Sequence, residues 1–174
     1  MSDRKNYHES CLYLLEEEIL GKEGVPPLPD RPPRWDDTIL GVSFFKSLLQ
    51  DAVLENLTLP RTYFGRSEIR EVSFRGTDLS ESTACWNDFI EVDFSFADLT
   101  RADLRASIFE RVSFQGAILR DADLRRSWFS GCCFTAADLT GARLNPEFGW
   151  VYRLTAAQRA VVDWQPEGPE PEGG

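Results

Sequence analysis

A chain of 174 residues with 42% apolar content can bury one core, and its 29 acidic and 19 basic residues leave a net charge of −10. That charge excludes a general affinity for nucleic-acid phosphates or anionic membrane, both of which call for a basic surface. The opening residues MSDRKNYHES hold no apolar h-region, and no apolar run approaches the ~18 residues of a membrane span. A soluble, cytoplasmic protein is expected, with no direct nucleic-acid partner and no membrane partner. Cys11, Cys85, Cys132 and Cys133 make no C-x-x-C pair, so free thiols in a reducing compartment are expected.

In the first forty residues, Tyr7, Cys11, Leu15 and Ile19 are spaced by four, which predicts a helix from Tyr7 to Leu20 that stops at Gly21 or Gly24. Glu16, Glu17 and Glu18 fan around it as a solvated side. Five prolines between Pro26 and Pro33 then predict an extended strap, because proline fixes the backbone and lacks a donor. The strap is read as a wrap around the body, with a PxxP ligand as the other reading. Trp35, Ile39 and Val42 carry the chain onward.

From Phe44 to Leu144 every fifth residue is large and apolar. Of these twenty-one positions twenty are Phe, Leu or Ile, and Ala84 is the lapse. The residue two before is mostly small or branched, as at Val72, Ala97, Ser107 and Ala122. A period of five belongs to neither a helix nor a plain strand, and a second period of twenty stacks Phe over Phe and Leu over Leu. Four pentapeptides therefore make one square coil, and about five coils stack to roughly 25 Å at the inter-strand spacing. Leu57 at a small-residue position, Pro60, Ala84 and Asn87 depart from the pattern. An irregular first coil, around Leu49 to Arg66, and a weakened coil at Ala84 and Asn87 are expected.

FADLTRADLR and TAADLTGARL resemble the pentapeptide-repeat family, with its A-[DN]-L-x-x signature, over about 100 of the 174 residues. The resemblance implies an all-β fold, a right-handed quadrilateral parallel β-helix. The expected organisation is an amino-terminal helix and Pro-rich arm over residues 1–40, the β-helix over 41–148, a capping helix within 149–165, and a disordered tail over 166–174. Thr155 to Gln158 reads as a capping box opening a helix to about Trp164, with Ala157, Ala160, Val161 and Trp164 as its apolar stripe. That helix covers the last open edge, or serves as a dimer contact, since some members of the family pair end to end.

No catalytic, metal or cofactor motif is present: the one histidine is His8, and no H-E-x-x-H, G-x-S-x-G or phosphate loop occurs. Asp78, Asp93, Asp98, Asp103, Asp123 and Asp138 arise from the repeat and are expected to bind nearby backbone N–H groups. An enzyme is not expected. Function then falls to outward positions. Glu68, Asp88, Ile108, Trp128 and Phe148 share one such position, so Ile108, Trp128 and Phe148 should form an apolar column, with Ile90 and Trp86 nearby. Either the amino-terminal arm covers it or a partner does, with Arg105, Arg125 and Arg126 as a rim. An acidic face is expected from Asp78, Asp98, Asp103, Asp123 and Asp138, with Ile118 interrupting the column of Asp78, Asp98 and Asp138. These features lead to a non-catalytic, protein-binding inhibitor, read first as an immunity protein (an antitoxin) against a nuclease-type toxin effector. The resemblance implies the alternative, a DNA mimic that protects or inhibits DNA gyrase.

Overall fold

The structure is a computed structural model, and it describes residues 3–26, 31–34, 41–45, 47–148 and 152–166, the side chain of Phe148 excepted. Four pentapeptides wind each coil into a square. Every fifth residue buries its side chain at the centre of a short extended segment, and the residues on either side of it point outward. The first face is a five-stranded parallel sheet of β1 (Leu48–Gln50), β2 (Glu68–Arg70), β3 (Asp88–Ile90), β4 (Ile108–Glu110) and β5 (Trp128–Ser130) in sequential order. Register is strict at twenty residues: Leu49 pairs with Ile69, Phe89 with Phe109 and Phe109 with Phe129.

The other faces are columns of single bridges. Val53, Ser73, Asp93, Ser113 and Cys133 mark the second face. Thr58, Asp78, Asp98, Ile118 and Asp138 mark the third. Ser43, Tyr63, Thr83, Asp103, Asp123 and Arg143 mark the fourth, which therefore has a sixth row. The corners are turned by residues with positive φ, among them Asp51, Asn56, Arg61 and Arg66 in the first coil. Most are not glycine. The strain of that conformation is offset because the same residue donates its N–H to the next coil, as Asn56 does to Arg75 O at 2.9 Å and Arg101 does to Arg120 O at 2.8 Å.

The core is a set of stacked ladders. Phe89, Phe109 and Phe129 are parallel at 5.1 and 5.0 Å between centroids, and Phe74, Phe94, Phe114 and Phe134 stack on the second face. Neighbouring columns meet edge to face, as Phe109 and Phe114 do at 5.6 Å, the geometry that the ring quadrupole favours.

The departures from the repeat leave the pairing between coils intact. The first coil is regular and pairs in full with the second. Leu57 fits its small-residue position because no coil lies before it, and it is buried in the cluster that includes Tyr7, Cys11 and Leu14. Pro60 fits because its position donates nothing between coils; in later coils that N–H bonds only an aspartate two residues back, as from Ser80 to Asp78. Beside Ala84 the ring of Phe64 reaches Phe74 and Phe89 at 5.8 and 6.2 Å. Asn87 joins an internal polar ladder at the corner between the fourth and first faces. The N–H groups of Ser47, Ser67, Asn87 and Ser107 each donate to the side-chain oxygen of residues 67, 87, 107 and 127 in turn.

Helix α1 (Tyr7–Glu16) closes the amino-terminal end. Asn6 and Glu9 form its capping box. Thr58 N–H donates to Ser10 Oγ at 2.8 Å, Lys5 N–H to Asn56 O at 2.8 Å, and the Tyr13 hydroxyl to Val53 O at 2.8 Å. These bonds satisfy first-coil groups that no earlier coil can reach. The helix ends at Glu16, short of the expected Leu20. Three successive glutamates face the negative end of its dipole with no cation in the last turn, and Glu18 turns left-handed at φ 54. Of the proline strap only residues 31–34 and its flank to Pro26 lie within the described residues; the expectations for Trp35, Ile39 and the tail after Pro166 lie outside them.

At the other end, helix α2 is short (Ala156–Val161), and Asp163–Trp164 forms a strand, β7, that pairs in parallel with β6 (Arg143–Leu144). The expected stripe of Ala157, Ala160 and Val161 is not buried: no residue of α2 is. The apolar lid comes from the flanks, with Tyr152, Leu154 and Val162 buried and Tyr152 edge-on to Phe129 at 5.2 Å. Gln158 adds hydrogen bonds from Nε2 to Phe134 O and Ala137 O.

Candidate protein-binding face

The parallel register of the first face brings residues twenty apart side by side. Ile108 lies against Trp128, and both are exposed, at 41% and 56%. Above them in the same column stand Asp88, Glu68 and Leu48, the last 66% exposed. Ile90 is half-buried on the other side of the strand row, between Arg70 and Glu110. Among the described residues nothing from the amino-terminal segment covers Ile108 or Trp128, because α1 bonds the first coil instead. Phe148 does not extend the column. It falls in a 3-10 helix, Pro146–Phe148, where proline ends the extended pattern after Leu144. Trp86 is 48% exposed and sits at the corner beside this face at φ 61, the corner position that Arg66 and Arg126 occupy in other coils.

The expected arginine rim divides. Arg105 and Arg125 lie on the fourth face and grip Asp103 and Asp123 two residues back, each through two hydrogen bonds of 2.7–2.9 Å. Arg143 reaches Asp123 at 3.5 Å, and Arg125 also donates to Gln165 at 3.2 Å, which ties the carboxy-terminal segment to the stack. Burial alone would raise the Asp123 carboxyl, but the hydrogen bonds from Arg125 outweigh it and hold the group below its usual range. Asp103 and Asp123 thus belong to a neutralised lattice and not to an open acidic face. Arg126 turns the corner two residues before Trp128, at φ 61.

Asp78, Asp98 and Asp138 do share the third face, with Ile118 between the last two. Each accepts the N–H and the hydroxyl of the residue two further on, Ser80, Thr100 or Thr140. These are the expected turn carboxylates. Thr140 and then Arg120 lower the Asp138 carboxyl. The tripeptides carry a distinction visible in the sequence: Asp-Leu-Ser and Asp-Leu-Thr leave a carboxylate turned to its own loop, whereas Asp-Leu-Arg at 103–105 and 123–125 places its neutralising cation in sequence.

The amino-terminal part of the first face is acidic. Asp51, Glu71 and Glu91 stack along its far corner, across the strands from Glu68 and Asp88. A hydrogen bond with Asp51 and the repulsion between the two groups raise the Glu71 carboxyl. Arg70 pairs with Glu68, and Arg111 with Glu91 and Glu110.

Among the described residues no group of His, Cys, Asp and Glu has the geometry of a metal site, and no helix is long and apolar enough to cross a membrane. Cys11, Cys85, Cys132 and Cys133 are free thiols, and burial raises the thiols of Cys11, Cys85 and Cys132, which disfavours the nucleophilic thiolate.

A closed square core with variable residues only on its outside defines a solenoid scaffold. Pentapeptide repeats match in eight copies over residues 47–83, 67–105 and 107–145, more than half of the chain, and the protein belongs to the pentapeptide-repeat family. Among solved structures it is similar to HetL from the cyanobacterium Nostoc sp. strain PCC 7120, a pentapeptide repeat protein involved in heterocyst differentiation regulation (TM-score 0.56, 21% identity, 58% of this chain and 48% of that one). The chain thus spans about half the length of HetL. It is also similar to a pentapeptide repeat protein of the Arabidopsis thaliana thylakoid lumen (TM-score 0.38, 26% identity, 67% and 77%). A third is QnrB1, a plasmid-mediated fluoroquinolone resistance protein (TM-score 0.35, 18% identity, 71% and 65%). No curated protein sequence matches the chain.

Proposed function

We propose that this protein is a non-catalytic inhibitor that binds another protein through the first face, and that it acts as an immunity protein neutralising a toxin effector, with a nuclease the favoured target. The observation that carries this reading is the exposed Ile108–Trp128 pair on a rigid sheet, left uncovered by α1. Large apolar side chains in contiguous outward positions are what an interface requires, and Trp is the commonest anchor. A net charge of −10 favours encounter with a basic nucleic-acid enzyme.

The test is rescue. The protein is co-expressed with nuclease toxins, and toxins that it neutralises are purified for direct binding. Trp128→Ala should weaken binding at least about tenfold with unchanged unfolding. A failure to rescue against all of them, together with recovery of no toxin-like partner from the native host, refutes the reading. The Asp78, Asp98 and Asp138 column supports a second reading, action on DNA gyrase; inhibition of supercoiling by the purified protein, lost on Asp98→Lys, would promote it. Exposed Ala157, Ala160 and Val161 offer a dimer contact through α2, which light scattering of a Val161→Glu variant tests.

A further inference from the structure

The first face is divided in charge. Asp51, Glu68, Glu71, Asp88, Glu91 and Glu110 stand against Arg70 and Arg111 on the strands and their far corner, a net of −4 that Arg66 and Arg126 at the near corner reduce to −2. The excess lies with Asp51, Glu71 and Asp88, since Arg70 and Arg111 are engaged by Glu68, Glu91 and Glu110. Beyond the acidic rows, ~5 Å further per coil, the outward positions become Ile108 and Trp128. In the column Leu48, Glu68, Asp88, Ile108 and Trp128 two acidic rows are thus followed by an apolar pair, with Asp51, Glu71 and Glu91 along the opposite edge of the strands.

Resting on the reading of the first face as the partner site, we propose that its occupant is a basic amphipathic segment. The segment lays cationic side chains over Asp51, Glu71 and Asp88 and an apolar side chain against Ile108 and Trp128. Two further observations support this. Asp51 and Glu71 occupy the same corner position in adjacent coils, where a hydrogen bond and then mutual repulsion raise the Glu71 carboxyl, and that repulsion favours a cation placed beside them. Asp88 stands between Glu68 and Ile108 in the column, so one extended segment passing down the face meets acid first and aromatic surface next. The rigid spacing of the coils sets the spacing of those groups on the partner.

The probes are short synthetic peptides added to the full chain: one alternating lysine with phenylalanine, one of lysine alone, and one with glutamate in place of lysine. Binding is followed by amide shifts in nuclear magnetic resonance. The lysine–phenylalanine peptide should shift amides of Glu68–Glu71, Asp88–Glu91, Ile108–Glu110 and Trp128–Ser130. Trp128→Ala should weaken it about tenfold, and the double variant Glu71→Gln, Asp88→Asn should weaken it about threefold or more and flatten its salt dependence. Lysine alone should bind more weakly and be indifferent to Trp128→Ala, and the glutamate peptide should not bind. The proposal is overturned by the lysine–phenylalanine peptide failing to bind, by shifts centred on the third face, by unchanged affinity in Trp128→Ala, or by equal binding of the glutamate peptide. Self-association lost in Trp128→Ala would place a second copy on this face and also overturn it. A protein that rescues cells from a toxin but fails these peptide tests loses this inference alone. One that passes them but rescues from no toxin loses the inhibitor reading alone.

Discussion

Asn87 tests whether the polar ladder inside the corner supports the stack. Its side-chain oxygen accepts the Ser67 N–H at 2.6 Å, and its amide nitrogen donates to Phe64 O and, at 3.0 Å, to Cys85 O. One coil further on, Ser107 fills the same role with a single hydroxyl, accepting from Asn87 N–H at 3.1 Å and donating to Ala84 O at 2.9 Å. Asn87→Ser should therefore be tolerated, within about 1 kcal/mol, because both backbone groups keep a partner. Asn87→Ala removes the partner of the Ser67 N–H and of the Phe64 carbonyl, both buried, and a donor to the part-buried Cys85 carbonyl. Each orphaned group costs about 1–3 kcal/mol, so a loss of about 2–6 kcal/mol is expected. Denaturant unfolding of the three proteins gives the order, and hydrogen exchange at the Ser67 amide should accelerate in the alanine variant alone. Equal stability of the alanine and serine variants would refute the argument that the ladder satisfies otherwise unpaired groups.

Phe114 is fully buried and lies between the rings of Phe94 and Phe134 at 5.6 and 4.9 Å. Phe114→Ala should cost about 3–5 kcal/mol, since the coils above and below are held by their own ladders and cannot collapse into the cavity; calorimetry checks it. Stability should also fall in acid. Asp123 and Asp138 are held below the usual carboxylate range in the folded state. Their contribution is complete above the unfolded value near 3.8 and is lost as pH falls through the lower folded values. Asp123→Asn should therefore flatten the stability profile below about pH 4, measured as melting temperature against pH. Arg125→Ala should destabilise, because it leaves the Asp123 carboxylate, only 10% exposed, without its two-pronged partner. A stable Arg125→Ala protein that had lost only its binding would return Arg125 to the interface.

The square stack was legible in the sequence because its physics is periodic. A large residue every five positions with a small one two before admits one quarter turn per pentapeptide, and repetition at twenty sets Phe89 over Phe109 and Leu99 over Leu119. The exposure of Ile108 and Trp128 was legible for the same reason, since the outward positions follow from the inward ones. What periodicity could not supply was anything that depends on the ends or on pairs across coils. The helix that closes the carboxy-terminal end looked apolar at Ala157, Ala160 and Val161, yet the lid is made by Tyr152, Leu154 and Val162.

Sequence alone thus determined the fold, the register and the list of outward residues, because each coil repeats the constraints of the last. Tertiary structure decided which outward residues are free to meet a partner. Arg105 and Arg125 seemed to rim an aromatic patch, but they hold Asp103 and Asp123 on the neighbouring face. Phe148 seemed to lengthen the column, but proline turns the chain before it. Helix α1 could have covered Trp128, but the unpaired N–H and carbonyl groups of the first coil draw it to the end of the stack. For the arginines and for α1 a polar group in need of a partner set the placement, and the identity of that partner depends on proximity in space that no spacing in sequence records.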